Sequence, residues 1–266
     1  MPAKKDAAKK STRPSNLNAA LARPAKSPAT SKDTFNSKRD LAPARVAEIL
    51  KRLAATYPNA ECALHHRNAW ELLVATILSA QCTDVRVNMV TPELFRQFPT
   101  PKAMSEASQP AIEEIIRSTG FYRNKAKSII GAAKKITSEF GGRIPRTLAE
   151  LTTVPGAARK TANVVLGVAY GLAEGIVVDT HVLRISRRLH LTQATEPKQV
   201  EQDLMKIIPK DRWIAYSHEV IHHGRQICIA RKPKCVECPL ETLCTSGDKT
   251  WWSGRTWPAI DKSSGG

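Results

Sequence analysis

Apolar side chains recur three and four positions apart along most of the chain from residue 41 onward. This spacing places them on one face of an α-helix, whereas a half-buried strand would alternate apolar and polar residues, and no run of useful length alternates. Pro, Gly, Ser, Thr and Asn stand at the breaks, where they end helices or form turns. The pattern predicts an all-α protein with short connections and with helices over residues 43–57, 70–81, 85–98, 110–120, 124–140, 147–154, 158–172 and 180–191.

The two ends of the chain lack this helical pattern. Residues 1–40 are rich in Ala, Ser and Pro and carry ten Lys and Arg against three Asp, a surplus of seven positive charges. Such a segment has too little apolar surface to offset the entropy that is lost on ordering. We therefore expect residues 1–40 to form a disordered basic arm, which either adds phosphate contacts or only aids solubility. Residues 248–266 are expected to form a loose C-terminal tail.

The whole sequence carries a formal net charge of +17 and has a pI near 9.9. Charge of this sign points first to nucleic acid as a partner and second to anionic lipid. The longest apolar stretches, residues 72–80 and 164–173, are far shorter than the roughly 18 residues that cross a bilayer. We expect a DNA-binding protein with neither a membrane span nor a secretory signal.

Four of the six cysteines lie close together, with six, two and five residues between neighbours. They are Cys228, Cys235, Cys238 and Cys244. Disulfides are not expected in a mostly helical chain without a secretory signal, whereas four thiolates can surround a zinc ion or hold a [4Fe-4S] cluster. Structural zinc sites usually pair two C-x2-C units and this chain has one, so the spacing favours the cluster without deciding the matter.

The loop between the first two of these cysteines reads "IARKPK". It presents Arg231, Lys232 and Lys234 from a short, constrained segment. Cations held in this way can clamp a DNA phosphate, although a solvated surface loop is the alternative.

The stretch "SHEVIHHGRQIC" leads into Cys228 and contains the H-E-x-x-H pattern of zinc proteases. On a helix, His218 and His222 would lie one turn apart, with Glu219 available to polarise a water molecule. No following H-x-x-G-x-x-H and no obvious third ligand appears in the sequence. A metalloprotease is therefore the remote alternative, and the stretch is interpreted as the helix that delivers Cys228 to a metal centre.

The stretch "LAELTTVPGAARKTANVVLGVAYG" places a Pro-Gly turn between two helical patterns. Gly156 can adopt a positive φ that other residues resist. The backbone amides at the start of the next helix, reinforced by Arg159 and Lys160, would form an anion site. On this stretch alone, an ordinary corner between two core helices is the alternative.

Three stretches in order resemble the endonuclease III family of helix-hairpin-helix DNA glycosylases: "LLVATILSAQCTDVRVN", "VPGAARKTANVVL", and "VVDTHVLRISRRL" followed by the four cysteines. The likeness covers residues 41–247 and leaves only the arm and the tail unmatched. It implies an all-α, two-lobed fold: a six-helix barrel over residues 62–173, and a C-terminal iron-sulfur cluster lobe made of residues 41–61 and 174–247. Double-stranded DNA with a damaged base would lie across the cleft between the lobes.

The resemblance also implies roles for individual residues. Lys160 corresponds to the nucleophilic lysine and Asp179 to the catalytic aspartate, although an Asp that opens a helix is also a favoured N-cap. Gln81 corresponds to the residue inserted into the base stack, and Phe121 stands where the family usually has an aliphatic wedge. The [4Fe-4S] ligands would be Cys228, Cys235, Cys238 and Cys244. Phosphate contacts would come from Val154, Pro155, Gly156, Ala157, Ala158 and Arg159 in the hairpin and from Arg231, Lys232 and Lys234 near the cluster.

Two positions depart from the family pattern. Ala158 stands in place of the second hairpin glycine, so a positive φ at this residue would cost roughly 1 kcal/mol or more. Cys82 stands where a small apolar residue is more usual, and we expect a packed, inert thiol there. The first departure predicts a change in hairpin geometry or phosphate affinity if the backbone there is left-handed.

The activity implied by the resemblance is base excision repair. The enzyme would be a DNA glycosylase with AP lyase activity that excises oxidised pyrimidines through a lysine Schiff base and nicks the strand by β-elimination. A monofunctional adenine mismatch glycosylase and a non-catalytic DNA-damage binding module are the alternatives, and the presence of Lys160 speaks against both. We expect a monomer in a bacterial cytoplasm, associated with the nucleoid, with a nuclear location as the alternative.

Overall fold

The computed structural model describes residues 35–253, and within this range the chain is all-α without a strand. The predicted helices are confirmed, with ends that differ by a few residues from the prediction. No helix in the described range is long and apolar enough to span a membrane. The α-helices are α1 (Ser37–Asp40), α2 (Pro43–Thr56), α3 (Ala69–Leu78), α4 (Asp84–Gln97), α5 (Pro101–Glu106), α6 (Gln109–Ile116), α7 (Tyr122–Glu139), α8 (Leu148–Leu151), α9 (Arg159–Tyr170), α10 (Thr180–Arg188), α11 (Pro197–Ile207) and α12 (Trp213–Gln226).

Helices α1, α5 and α11 were not predicted. Helix α1 contains no apolar residue, and the other two bury few apolar side chains. Helix α5 is six residues long and buries only Met104. Helix α11 buries Val200 and Leu204, four positions apart, in an otherwise mainly polar segment. A Pro at the first turn and a Thr or Glu just before it mark the start of α5 and α11, since Pro is tolerated where the amide has no helical partner.

Two hydrophobic cores divide the described chain. The first core joins α3 to α9 and is built from residues between Leu64 and Leu166, with partly buried residues from 62 to 172 around it. Helix α3 buries eight of its ten residues, as a helix at the centre of a core must. The second core joins α2 to α10, α11 and α12 and extends to Leu243. The two cores therefore occupy the parts of the sequence that the resemblance assigned to two lobes.

Parts of the predicted arm and of the predicted tail belong to the described fold. Residues 35–40 belong to the folded part, because Asp40 is fully buried, accepts from the backbone amide of Asn36 at 2.7 Å and pairs with Arg39 at 2.7 Å. At the other end, the Lys249 ammonium pairs with Glu241 at 2.7 Å. Residues 35–40 and 248–253 therefore lie within the described fold, and the rest of the predicted arm and tail lies outside the described range.

Arg45 on α2 holds together three distant segments of the second core. Its side chain is almost fully buried and donates to the carbonyl oxygens of Asp40 at 2.5 Å, Leu189 at 2.8 Å and Leu243 at 2.6 Å. A guanidinium with several donors in fixed directions can satisfy three carbonyls at once, which no apolar side chain can do.

Replacing Arg45 by Met is expected to lower the free energy of unfolding by about 3 kcal/mol or more, because buried carbonyls that lose their donor keep the full cost of desolvation. Urea denaturation of the two proteins measures this difference. The control is Arg96→Met, since Arg96 forms an exposed pair with Glu93 and its replacement should leave the free energy of unfolding nearly unchanged. Equal stabilities of the Arg45 variant and the natural protein would contradict the assigned role.

Candidate active site and cluster-binding loop

The hairpin between α8 and α9 is closed by a left-handed glycine. Gly156 has φ +80°, and a Cβ atom there would lie 3.1 Å from side-chain atoms of both Ile77 and Ser128. The amide of Ala157 donates to the carbonyl of Val154 at 3.0 Å, and the side chains of both residues are buried. Glycine is therefore required by the backbone conformation and by the close packing of the turn on α3 and α7.

Ala158 is not left-handed. Its φ of −61° and ψ of 165° are ordinary extended values. Alanine is therefore accommodated at this position without backbone strain. Ala158 is the N-cap of α9 and has no side chain that can cap the helix. The amides of the first turn of α9 are consequently not covered by an N-cap side chain, which is the condition for anion binding at a helix start.

Lys160 and Asp179 line one cavity. Lys160 is the second residue of α9 and is exposed. Asp179 is the N-cap of α10, where Oδ1 accepts from the amides of His181 and Val182, both at 2.8 Å. The two amides bind a single carboxylate oxygen, so the cap fixes the orientation of the side chain while Oδ2 is left for another partner. The cap and the catalytic interpretation of Asp179 are therefore compatible.

Arg159, which is expected to reinforce the anion site, also pairs with a carboxylate of the protein. Its guanidinium forms a two-pronged ion pair with Glu201 on α11, with Nε–Oε2 at 2.7 Å and Nη2–Oε1 at 3.1 Å. This pair raises the pKa of Arg159. Glu201 is buried and also accepts from Asn163 at 2.8 Å. The charge of Arg159 is thus balanced within the protein, and the residue ties the start of α9 to α11.

Gln81 and Phe121 share an unusual backbone conformation. Gln81 follows α3 with φ 53°, and Phe121 precedes α7 with φ 47°. Both side chains are exposed, and 65% of the Phe121 surface is open to solvent. Non-glycine residues in the left-handed region are strained, and such strain persists only where the surroundings hold it. Two strained turns therefore expose one polar side chain, Gln81, and one large apolar side chain, Phe121.

The H-E-x-x-H stretch does not form a protease site. Glu219 is buried and bound by Arg212, whose Nη2 lies 2.7 Å and 2.9 Å from its two carboxylate oxygens. His218 and His222 instead line the cavity that contains Lys160. Within residues 35–253, no group of three or more His, Cys, Asp or Glu could hold a single metal ion. The metalloprotease alternative has no site in the described part of the chain.

The four clustered cysteines surround a second cavity. Four cysteine sulfurs around one cavity are the ligand set of an iron-sulfur cluster or of a structural zinc ion. Arg188 donates to the sulfur of Cys228 at 3.3 Å, and the amide of Thr250 donates to the sulfur of Cys235 at 3.4 Å. Such donors stabilise sulfur atoms that carry negative charge. The residues present therefore fit an iron-sulfur cluster.

His223 connects the cysteine cavity to α2. The side chain is almost fully buried, with Nδ1 3.0 Å from the hydroxyl of Tyr57 and Nε2 3.6 Å from the sulfur of Cys238. Burial lowers the pKa of His223 to about 4, so the ring is neutral near pH 7. With a thiolate at Cys238, Nε2 is the donor and Nδ1 accepts from Tyr57. Only the position of His223 shortly before Cys228 pointed to these contacts from the sequence.

The basic loop between Cys228 and Cys235 is held by α10. Arg188 donates to the carbonyl oxygens of Ile229 at 2.9 Å and Ala230 at 3.0 Å. The three cations of the loop remain exposed, as the phosphate-clamp interpretation requires. They are Arg231, Lys232 and Lys234.

Comparison with known proteins bears on both parts of the site. A model of the HhH-GPD superfamily of base excision DNA repair proteins matches residues 74–210, and a model of the iron-sulfur binding domain of endonuclease III matches residues 228–244. Endonuclease III of Synechocystis sp. is 55% identical over 202 residues, which cover 76% of this chain and 92% of that protein. The chain belongs to the endonuclease III family. Endonuclease III of Escherichia coli K12 is 39% identical over 206 residues, covering 77% of this chain and 97% of its own length.

Solved structures agree with this placement. A trapped covalent intermediate of an endonuclease III with DNA matches with a TM-score of 0.73 and 44% identity, covering 76% of this chain and 95% of that chain. A thermostable thymine-DNA glycosylase matches with a TM-score of 0.68 at 21% identity, which shows the fold alone. The two-lobed helix-hairpin-helix glycosylase fold is thereby confirmed.

The family determines the activity and the cofactor. This member of the endonuclease III family is a base excision repair DNA glycosylase and AP lyase, and DNA is its partner. Its cofactor is a [4Fe-4S] cluster, and the matched range contains all four clustered cysteines. The question that spacing left open between zinc and iron is answered in favour of the cluster.

Proposed function

We propose that Lys160 is the nucleophile and Asp179 the catalytic carboxylate of this member of the endonuclease III family. The observation that carries the proposal is the cavity that both side chains line, at the start of α9 and the start of α10. A nucleophilic amine and a carboxylate in one cavity are the two groups that a glycosylase with lyase activity needs. Two further carboxylates, Glu61 and Asp84, line the same cavity, and Asp84 is paired with Arg225 at 2.6 Å.

The reaction proceeds by displacement and elimination. The unprotonated Nζ of Lys160 attacks C1′ of the damaged nucleotide, the base leaves with the electron pair of the glycosidic bond and takes up a proton, and the sugar ring opens to a Schiff base. Loss of a proton from C2′ then expels the 3′ phosphate, which breaks the strand. The Asp179 carboxylate stabilises the positive charge that develops on the sugar and on the iminium.

DNA binding is divided between the two lobes. The hairpin of residues 154–158 holds phosphates through its backbone, which suits a turn whose Val154 and Ala157 side chains are buried. The loop with Arg231, Lys232 and Lys234 adds phosphate contacts from the lobe of residues 41–61 and 174–247. Gln81 and Phe121 enter the base stack when the damaged base is flipped out. Arg159, whose exposed guanidinium is oriented by its ion pair with Glu201, adds a side-chain phosphate contact at the start of α9.

The substrate is an oxidised pyrimidine in duplex DNA, and the protein acts as a monomer in a bacterial cytoplasm. The four cysteines at 228, 235, 238 and 244 bind the cluster, which has a structural role in holding the basic loop. The relatives that support this assignment are bacterial endonucleases III.

The substrate assignment is tested with a panel of duplexes that contain a single thymine glycol, dihydrouracil, 8-oxoguanine opposite cytosine, or adenine opposite 8-oxoguanine. We expect base release and strand nicking on the two oxidised pyrimidines at rates at least tenfold above those on the other duplexes. Preferential release of adenine without nicking would indicate a mismatch glycosylase. Tight binding of lesion duplexes with no release of any base would indicate a binding module.

Replacing Asp179 by Asn is expected to lower the rate of base excision by about 100-fold while leaving stability nearly unchanged. Asn is as good an N-cap as Asp and can accept the two amide hydrogen bonds, but it has no charge to stabilise the developing cation. Single-turnover excision and thermal denaturation of the variant measure the two quantities separately. The matched variant Asp179→Ala should lose both, and excision at the natural rate by Asp179→Asn would remove the catalytic assignment.

A further inference from the structure

Lys125 is a buried lysine with no part in the site described above. It is the fourth residue of α7, only 5% of its surface is exposed, and burial lowers its pKa. Its ammonium donates to the carbonyl oxygens of Leu78 and Thr119, both at 2.8 Å. Burying an ammonium is costly unless its hydrogen bonds are made, so a lysine in this position is explained by what it binds.

The two carbonyls belong to the two loops that present Gln81 and Phe121. Leu78 is the last residue of α3, three positions before Gln81. Thr119 ends the short 3-10 helix Arg117–Thr119, two positions before Phe121, and its own side chain is buried and bonded to the carbonyl of Ile116. A single ammonium therefore joins two segments whose contact residues are 47 and 6 positions from Lys125 in sequence.

Both loops contain strain that must be held. Gln81 and Phe121 are each left-handed, and each follows within three residues of a carbonyl that Lys125 binds. Without a common anchor, the end of α3 and the start of α7 would be free to relax independently, because an unsupported left-handed residue returns to the broader allowed regions. The hydrogen bonds from a cation are also stronger than those from a neutral donor.

We propose that Lys125 is a positioning residue that sets the distance between the Gln81 and Phe121 loops, so that the two side chains enter the opened base stack together. The proposal rests on the inserting roles that are assigned to Gln81 and Phe121 under the proposed function. A lysine that merely stabilised the barrel would weaken all forms of DNA binding in proportion to the loss of folded protein. A lysine that sets the spacing of the two loops acts selectively on DNA whose stack is opened.

The test uses the full chain with its cluster and three probes. The first is a duplex with a tetrahydrofuran abasic analogue, which requires insertion into the stack, and the second is the same duplex undamaged. The third is a single strand with an aldehydic abasic site, on which borohydride trapping reports Schiff base formation without insertion. We expect Lys125→Met to bind the abasic duplex about tenfold more weakly, to bind the undamaged duplex as the natural protein does, and to be trapped on the single strand at the natural rate.

The matched control is Lys127→Met, because Lys127 lies on the same helix and is exposed. It should leave the ratio of affinities for abasic and undamaged duplex unchanged within about twofold. Lys125→Arg keeps the charge and the donors in a longer side chain and provides a second variant if Lys125→Met does not fold. It should reduce the same ratio by a smaller factor. The proposal would be overturned if a folded Lys125 variant kept the natural protein's ratio of affinities for abasic and undamaged duplex. It would also be overturned if the variant lost affinity equally for both duplexes.

The variants Gln81→Ala and Phe121→Ala distinguish failure of this inference from failure of the proposed function. If both bind the abasic duplex as tightly as the natural protein, the inserting roles are wrong and the positioning role falls with them. If both weaken abasic binding but Lys125→Met does not, only the positioning role is wrong. If Lys125 acts through these side chains, combining Lys125→Met with Gln81→Ala should cost less than the product of the two separate losses, since contacting or coupled residues are not additive.

Discussion

Lys160→Ala is expected to form no covalent adduct when incubated with borohydride and a duplex that carries one oxidised pyrimidine. The adduct forms by reduction of the Schiff base between Nζ and C1′, and alanine has no amine to form it. Strand nicking should fall by at least about three orders of magnitude, the scale on which enzymes lose activity when a nucleophile is removed. A denaturing gel that resolves the adduct, the nicked strand and the intact strand measures all three products.

Folding and DNA binding should survive this change, because Lys160 is exposed and is not part of either core. Lys134→Ala, at an exposed position of α7, is the matched control and should be trapped as the natural protein is. An adduct from Lys160→Ala of natural yield would assign the nucleophile to another amine. Base release by the natural protein without any adduct would contradict the lyase mechanism for this chain.

Cys238→Ala is expected to remove the iron and to weaken binding of plain duplex DNA on the order of tenfold at low salt. The loss of one of four ligands leaves the cluster open, and the loop that carries three cations then loses the cluster that ties its two ends, Cys228 and Cys235, together. The loss should be larger in low salt than in high salt, because it arises from phosphate contacts. Iron analysis, visible absorption and DNA affinity at several salt concentrations measure these effects.

The control for iron content is Cys62→Ala. Cys62 packs against the first core and lines the cavity of Lys160, so its replacement should leave the iron unchanged. Natural DNA affinity in a folded Cys238 variant without iron would show that the cluster does not organise the basic loop. Full iron retention by Cys238→Ala would exclude this cysteine as a ligand.

Most of the fold could be predicted from the sequence, because the helices that build the two cores have regularly spaced apolar residues. Helix α3 is apolar at eight of its ten positions, and its central position follows from that composition. Helix α11 was missed because its stripe is short. Its importance lies in Glu201, and a carboxylate that meets Arg159 from 42 positions away leaves no local pattern in a sequence.

The sequence predicts the site residues that belong to family motifs of fixed spacing. It does not predict the residues whose role depends on contacts with distant parts of the chain. Lys160, Asp179 and the four cysteines follow from motifs, and the geometry brings Lys160 and Asp179 to one cavity. The backbone of Ala158 could not be read from its neighbours, since alanine in place of glycine is compatible with a normal φ as well as a strained one. Lys125 and His223 stand in ordinary helical segments, and only their burial and their partners reveal them.

The contact that Arg45 makes with Leu243 joins residues 198 positions apart. This separation determines which core can fold first as the chain is synthesised. The first core uses only residues between 62 and 172, so it can close while the chain is still being translated. The second core needs both α2 and the last cysteine loop, so it can close only after the C-terminal segment has left the ribosome. During that interval the apolar face of α2 is not yet covered by the C-terminal part of the second core. We therefore expect iron delivery to be a late step in the maturation of the newly made enzyme.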